Sequence, residues 1–225
     1  MLLLFDIDGT LLRVTDGTNR AVQHAVSSVT GRPVSTEGVS FSGRTDPEIF
    51  RDVLRASGVA DPEPVLDEVL STYVEAAQDA IRPDHVETLP GIPPLLSALS
   101  GREDVFLGLL TGNVEPIAYH KLRRVGLADH FGAGAFGSDH ADRGRLPPVA
   151  LRRASSHSGR SFTLRRTVII GDTQHDIQCA RTAGSRAVAV CTGRFARSDL
   201  QPHTPDLLFD DLRDHRAVIE QILSL

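Results

Sequence analysis

Three short apolar runs, each stopped by a polar, glycine-containing loop, constrain the fold of this chain more than any other feature. Met1 to Ile7 leads into Asp8-Gly9-Thr10, Val105 to Leu110 into Thr111-Gly112-Asn113, and Thr167 to Ile170 into Gly171-Asp172-Thr173. Apolar runs of this length bounded by turn residues read as buried strands. Helical patterns follow at Pro93 to Leu99, Glu115 to Val125, Pro147 to His157 and Asp176 to Ala183, with Gly126 and Gly184 stopping two of them. Strand then helix, repeated, predicts an α/β fold with a Rossmann-like parallel sheet flanked by helices. In such a sheet ligands bind beyond the carboxyl ends of the strands, so the three loops are expected to converge. Arg186 to Val190, running into Cys191-Thr192-Gly193, adds a strand, and Leu212 to Leu223 a closing amphipathic helix.

Residues 14–85 read differently. Helical stretches around Asn19 to Val29, Pro47 to Ala56 and Pro64 to Ile81 are joined without a comparably strong strand. This segment is expected to be an α-helical insertion, leaving residues 1–13 and 86–225 as the α/β core. The return passes through Pro90-Gly91-Ile92-Pro93-Pro94, whose prolines suit the first turn of the next helix.

Composition removes several function classes. The net charge of −5 over 225 residues has no long like-charge run, which argues against a nucleic-acid groove or a polybasic membrane surface. No stretch approaches the roughly 20 apolar residues of a membrane span, and a signal sequence has no room before Asp6, so a cytoplasmic chain is expected. Cys179 and Cys191 lack ligand-spaced neighbours and read as reduced thiols. Small-molecule partners remain, and a monomer or weak homodimer is expected. Lys121 is the only lysine, and its place within a helix reads as a solvated surface charge.

Asp6 and Asp8, two apart in an extended chain, leave the same face while Ile7 points into the core. Paired carboxylates offer a nucleophile and a proton-transfer group, which suits splitting a phosphoester by a covalent route, with Asp6 attacking and Asp8 protonating the leaving oxygen. A phosphate dianion is repelled by bare carboxylates, so a cation must intervene. Asp172 can supply a ligand from another strand end, Asp176 can bind the ion or orient its waters, and Mg²⁺ suits such an oxygen set. Thr111 and the amides near Gly112 can hold phosphate oxygens, helped by the helix beginning near Glu115.

Asp-x-Asp-Gly-Thr, the Thr111 strand end and Gly-Asp-x-x-x-Asp, in this order, resemble the haloacid dehalogenase superfamily of phosphohydrolases over nearly the whole chain. The resemblance implies that Asp6 forms an aspartyl phosphate, that Asp8 is general acid and base, and that Mg²⁺ is held by Asp6, the Asp8 carbonyl and Asp172, with Asp176 nearby. Gly9, Thr10, Gly112 and Asn113 are then expected to face the phosphate. The family carries a lysine before the last motif; here Arg143-Gly144-Arg145-Leu146-Pro147-Pro148 stands there. Arg145 aligns best with the catalytic lysine, and Arg143 is the alternative. An arginine in that role offers a planar fork instead of a point charge.

The insertion's position resembles the helical cap of the phosphoglycolate phosphatase and phosphomutase branch, which closes over substrate and excludes water. Gly43, Arg44 and Thr45 match its substrate-facing loop, with Arg44 expected to meet a second anionic group. Against this stands the plainer expectation that Thr45 or Asp46 only caps the Pro47 helix. The function expected is a Mg²⁺-dependent phosphomonoesterase acting on a small phosphorylated metabolite, phosphoglycolate-like or a sugar phosphate. A sugar phosphomutase shares these parts. A receiver-like phosphoacceptor would need a late-strand lysine, which the sequence lacks.

Overall fold

The computed structural model describes residues 1–225. Strand β1 (Leu2–Phe5) is followed by β2 (Leu12–Val14) and three helices, α1 (Thr18–Thr30), α2 (Asp46–Ala56) and α3 (Glu63–Ala80), before β3 (Val86–Thr88). The core resumes with α4 (Ile92–Ser100), β4 (Phe106–Leu110), α5 (Glu115–Arg124), β5 (Ala133–Ala135), α6 (Leu146–Ser158), β6 (Thr167–Gly171) and α7 (Gln174–Ala183). It closes with β7 (Arg186–Val190), the short α8 (Arg197–Leu200), β8 (Leu207–Phe209) and α9 (His215–Leu223).

Six strands form one parallel sheet in the order β5-β4-β1-β6-β7-β8. β1 lies between β4 and β6, with Leu4 opposite both Gly108 and Ile169. Its residues alternate between two cores. Leu3, Phe5 and Ile7 pack into the larger one, shared with α4, α5 and the insertion, whereas Leu2 and Leu4 pack with α6 and α7 on the other face. The same period of two puts Asp6 and Asp8 in step with Leu2 and Leu4, just beyond the last paired residue.

β2 and β3 pair antiparallel, Val14 opposite Val86, so both crossings into the insertion run through one two-stranded ribbon. The expected segment 14–85 therefore begins on the last residue of one ribbon strand and ends just before the other. No helix is long and apolar enough to cross a membrane, and no large hydrophobic side chain is exposed.

Candidate functional site

The expected convergence of strand-end loops holds. Beyond β1 the chain turns at once: the amides of Thr10, Leu11 and Leu12 all donate to the Ile7 carbonyl, and Gly9 adopts a φ of 79°. Gly9 passes so close to the Asp172 carboxylate that a Cβ would collide with it, so both φ and space require glycine. Asp6, Asp8 and Gly9 line a cavity of about 710 Å³ together with Thr111, Gly112 and Asn113 from the β4 end, and Asp172 and Thr173 from the β6 end. The insertion supplies the opposite wall, including Gly43, Arg44, Asp46, Phe50 and Tyr73.

At the centre Asp6, Asp172 and Asp176 are all buried, and each offers a carboxylate oxygen within 4.8 Å of the others. One guanidinium answers them. Arg143 Nη2 donates to Asp176 Oδ1 and lies 3.3 Å from Asp6 Oδ1. Burial opposes the charge on Arg143, but Asp176 and Asp6 outweigh it and hold its pKa above the ordinary value. Burial pushes Asp6 up to about 6 despite Arg143, with Asp176 and Asp8 adding repulsion. Burial likewise raises Asp172 to about 8, reinforced by Asp176 and Asp6. Three acids against one arginine leave the cluster short of positive charge, and a divalent cation bound by carboxylate oxygens fits that deficit. Asp176 is the member least free to bind it. Its Oδ2 accepts from the Thr173 amide at 3.0 Å and hydroxyl at 2.7 Å, closing a capping box at the start of α7, and its Oδ1 is held by Arg143.

The arginine expectation is corrected by position. Arg145 does not reach the cavity: its side chain is 71% exposed and its nearest acid is Asp142, 3.7 Å away. A single 3₁₀ turn over Arg143–Arg145, started by Asp142 accepting from the Gly144 amide at 2.9 Å, sends the two arginines to opposite sides. Thr10 and Thr45 also lie outside the cavity lining. The Thr10 hydroxyl donates to Asp172 Oδ1 at 3.4 Å, and that of Thr45 to the Ala141 carbonyl at 2.7 Å.

The plainer expectation for the insertion loop is not met either, because neither Thr45 nor Asp46 caps α2 with its side chain. Asp46 Oδ2 instead accepts from the Val114 amide at 2.8 Å, and the Asp46 amide donates to the Gly112 carbonyl at 2.8 Å. Arg44 lines the cavity, but its charge is already met by two acids of the insertion: its Nη1 donates to Asp52 at 2.7 Å and its Nε lies 3.9 Å from Glu48.

Lys121 is the largest departure from expectation. It is 4% exposed, and its ammonium donates to both Asp8 oxygens at 2.9 and 2.7 Å and to Asn113 Oδ1 at 2.7 Å. Asn113 Nδ2 adds a bond to Asp8 at 2.8 Å and one to the Thr111 hydroxyl at 2.8 Å. The helical period held the signal: Lys121 follows Ile117 by four and Ala118 by three, and those residues form the buried face of α5.

Residues 3–190 match the model of the haloacid dehalogenase-like hydrolase family. The chain is 26% identical over 215 residues to a phosphoglycolate phosphatase of Pseudomonas fluorescens, covering 94% of this chain and 77% of that one. It is 28% identical over 235 residues to an N-acetylmuramic acid 6-phosphate phosphatase of Pseudomonas aeruginosa, covering 98% and 95%. Its fold is shared with the crystal structure of a predicted phosphatase from Clostridium acetobutylicum, at a TM-score of 0.73 and 18% identity over 97% of this chain and 98% of that one. With the family pattern running from β1 to the end of β7, through every strand end that lines the cavity, the chain belongs to the haloacid dehalogenase-like hydrolases.

Proposed function

We propose that this chain is a Mg²⁺-dependent phosphatase that hydrolyses a small phosphorylated metabolite through an aspartyl phosphate on Asp6. The observation that carries the reading is the placement of Asp6: a buried carboxylate at a central strand end, beside one guanidinium and two further acids, in the lining of a cavity between core and insertion.

The Asp6 carboxylate attacks phosphorus as the bond to the leaving oxygen breaks, and Asp8 delivers a proton to that oxygen. Water then attacks the phosphorus of the aspartyl phosphate, its proton passes to Asp8, and inorganic phosphate leaves with Asp6 restored. Arg143 offsets the negative charge of Asp6 and the arriving phosphate, while Asp176 fixes the guanidinium. Lys121 and Asn113 hold the Asp8 side chain in place and suit the carboxylate left once its proton has passed to the leaving oxygen. Asp6, the Asp8 backbone carbonyl and Asp172 would hold Mg²⁺, which supplies charge neutralisation for the phosphoryl oxygens. The helical insertion acts as the cap, its Gly43–Asp46 loop seated on the 112–114 loop of the core.

The test is phosphate release from a panel of phosphomonoesters with Mg²⁺ and with chelator. Release that requires Mg²⁺ and falls at least about 10³-fold in Asp6→Asn supports the reading. Equal release in chelator, or an undiminished Asp6→Asn variant, overturns it.

A further inference from the structure

The inner wall of the cavity, formed by the insertion, identifies the chemistry of the group that phosphate is attached to. Each cation that faces inward is already matched. Arg143 lies on Asp6 and Asp176, Lys121 on Asp8 and Asn113, and Arg44 on Asp52 and Glu48. Arg13 and Arg194 stand exposed at the mouth, and Arg13 pairs there with Glu87 at 3.5 Å.

The groups left free on the inner wall are of another kind. Tyr73 is 2% exposed, packs its ring against Phe50 at 4.9 Å between centroids, and lines the cavity, yet its hydroxyl has no hydrogen-bond partner in the protein. Burial, with the neighbouring Asp46 and Asp8 carboxylates, holds that phenol well above its ordinary pKa, so it stays an O–H donor. Asp46 spends one oxygen on the Val114 amide and leaves Oδ1 as a free acceptor. Val22, Ile49 and Phe50 supply apolar surface on this side of the cavity, and Asn19 and Ser42 further polar groups. A donor and an acceptor that open onto the cavity without protein partners suit ligand hydroxyls, which both donate and accept. A carboxylate in the same place would meet Asp46, while the cations of the inner wall are already matched by Asp6, Asp176, Asp8, Asp52 and Glu48.

Resting on the phosphatase reading above, we propose that the group esterified to phosphate is an uncharged polyol or sugar and not a hydroxy acid, with Tyr73 and Asp46 recognising its hydroxyls. A hydroxyl-reading site of this sort discriminates strongly, because the wrong ligand leaves its polar groups unpaired.

The test uses the full chain with Mg²⁺ and a matched pair, glycerol 3-phosphate and 3-phosphoglycerate, with p-nitrophenyl phosphate as a reference lacking the hydroxyls. The glycerol ester is expected to exceed the glycerate ester in kcat/KM by about tenfold or more. Tyr73→Phe, which removes an oxygen the fold does not use, should lower kcat/KM for the glycerol ester about tenfold relative to the reference ester. Asp46→Asn keeps an acceptor for the Val114 amide and should narrow the discrimination against the glycerate ester. Preference for the glycerate ester, or a Tyr73→Phe effect equal on all three esters, overturns the assignment while leaving the phosphatase reading intact. Release from none of the three overturns that reading and the assignment with it.

Discussion

Arg143 and Arg145 differ by two positions and by everything that matters to the site. Arg143 is buried between Asp6 and Asp176, so Arg143→Ala leaves two buried carboxylates unpaired. Breaking a buried pair from one side costs about 3–5 kcal/mol, and the variant should lose stability by that order in chemical denaturation along with nearly all turnover. Arg145→Ala, at an exposed side chain, should match the parent in both measurements. Proline register alone favoured the exposed arginine because sequence spacing does not show which way a 3₁₀ turn presents its members. The capping bond from Gly144 to Asp142 decides that, and it is visible only in three dimensions. Lys121→Met tests the other surprise. It removes three hydrogen bonds from Asp8 and Asn113 while keeping the apolar stem, so kcat should fall about 10²-fold or more with a much smaller change in KM.

Among elements, the seating of the insertion loop on the β4–α5 loop is the contact most open to a single change. Gly112 passes the Arg44 carbonyl too closely to admit a Cβ. Gly112→Ala must push the two loops apart, with a cost of about 1–3 kcal/mol typical of overpacking, and should raise KM by weakening closure over substrate. Steady-state kinetics with a thermal melt reads both. The elements themselves were largely legible. Strands β1, β4, β6 and β7 are apolar runs ending in glycine or aspartate loops, and the seven longer helices outside α9 fell within two residues of expectation because proline and glycine mark their ends. The three-residue strands were not legible. Ala133-Gly134-Ala135 contains no β-branched or aromatic residue, and β2 and β3 owe their pairing to each other more than to their own sequence. Asp46, read only as a possible cap, and Tyr73, inside a helix pattern, were not legible as cavity residues for a related reason: what makes each notable is a cavity built from distant segments.

For the molecule as a whole, the buried acids predict how stability responds to pH and metal. Asp6, Asp46 and Asp172 have folded-state pKa values raised to about 6, 6 and 8. The folded chain therefore holds protons that the unfolded chain has released, and these groups lower stability as pH rises from about 4 to 8. His120 and His175, whose pKa values are depressed by burial, act in the opposite sense near their ordinary range. The clean readout is thus the rise in Tm on adding Mg²⁺ to chelator-treated protein, which should be larger at pH 8 than at pH 5. A rise independent of pH would show that the carboxylates do not bind the ion.

The central place of β1 in the sheet has a further consequence, for the chain as it leaves the ribosome. The strand that carries Asp6 is made before both of its neighbours, β4 and β6, and the second of these ends at Gly171. Pairings so distant in sequence form slowly and late. Everything through β6 must therefore emerge before the Asp6 carboxylate has its two flanking strands, so a nascent chain that stops short of Gly171 carries Asp6 without the pocket that buries it.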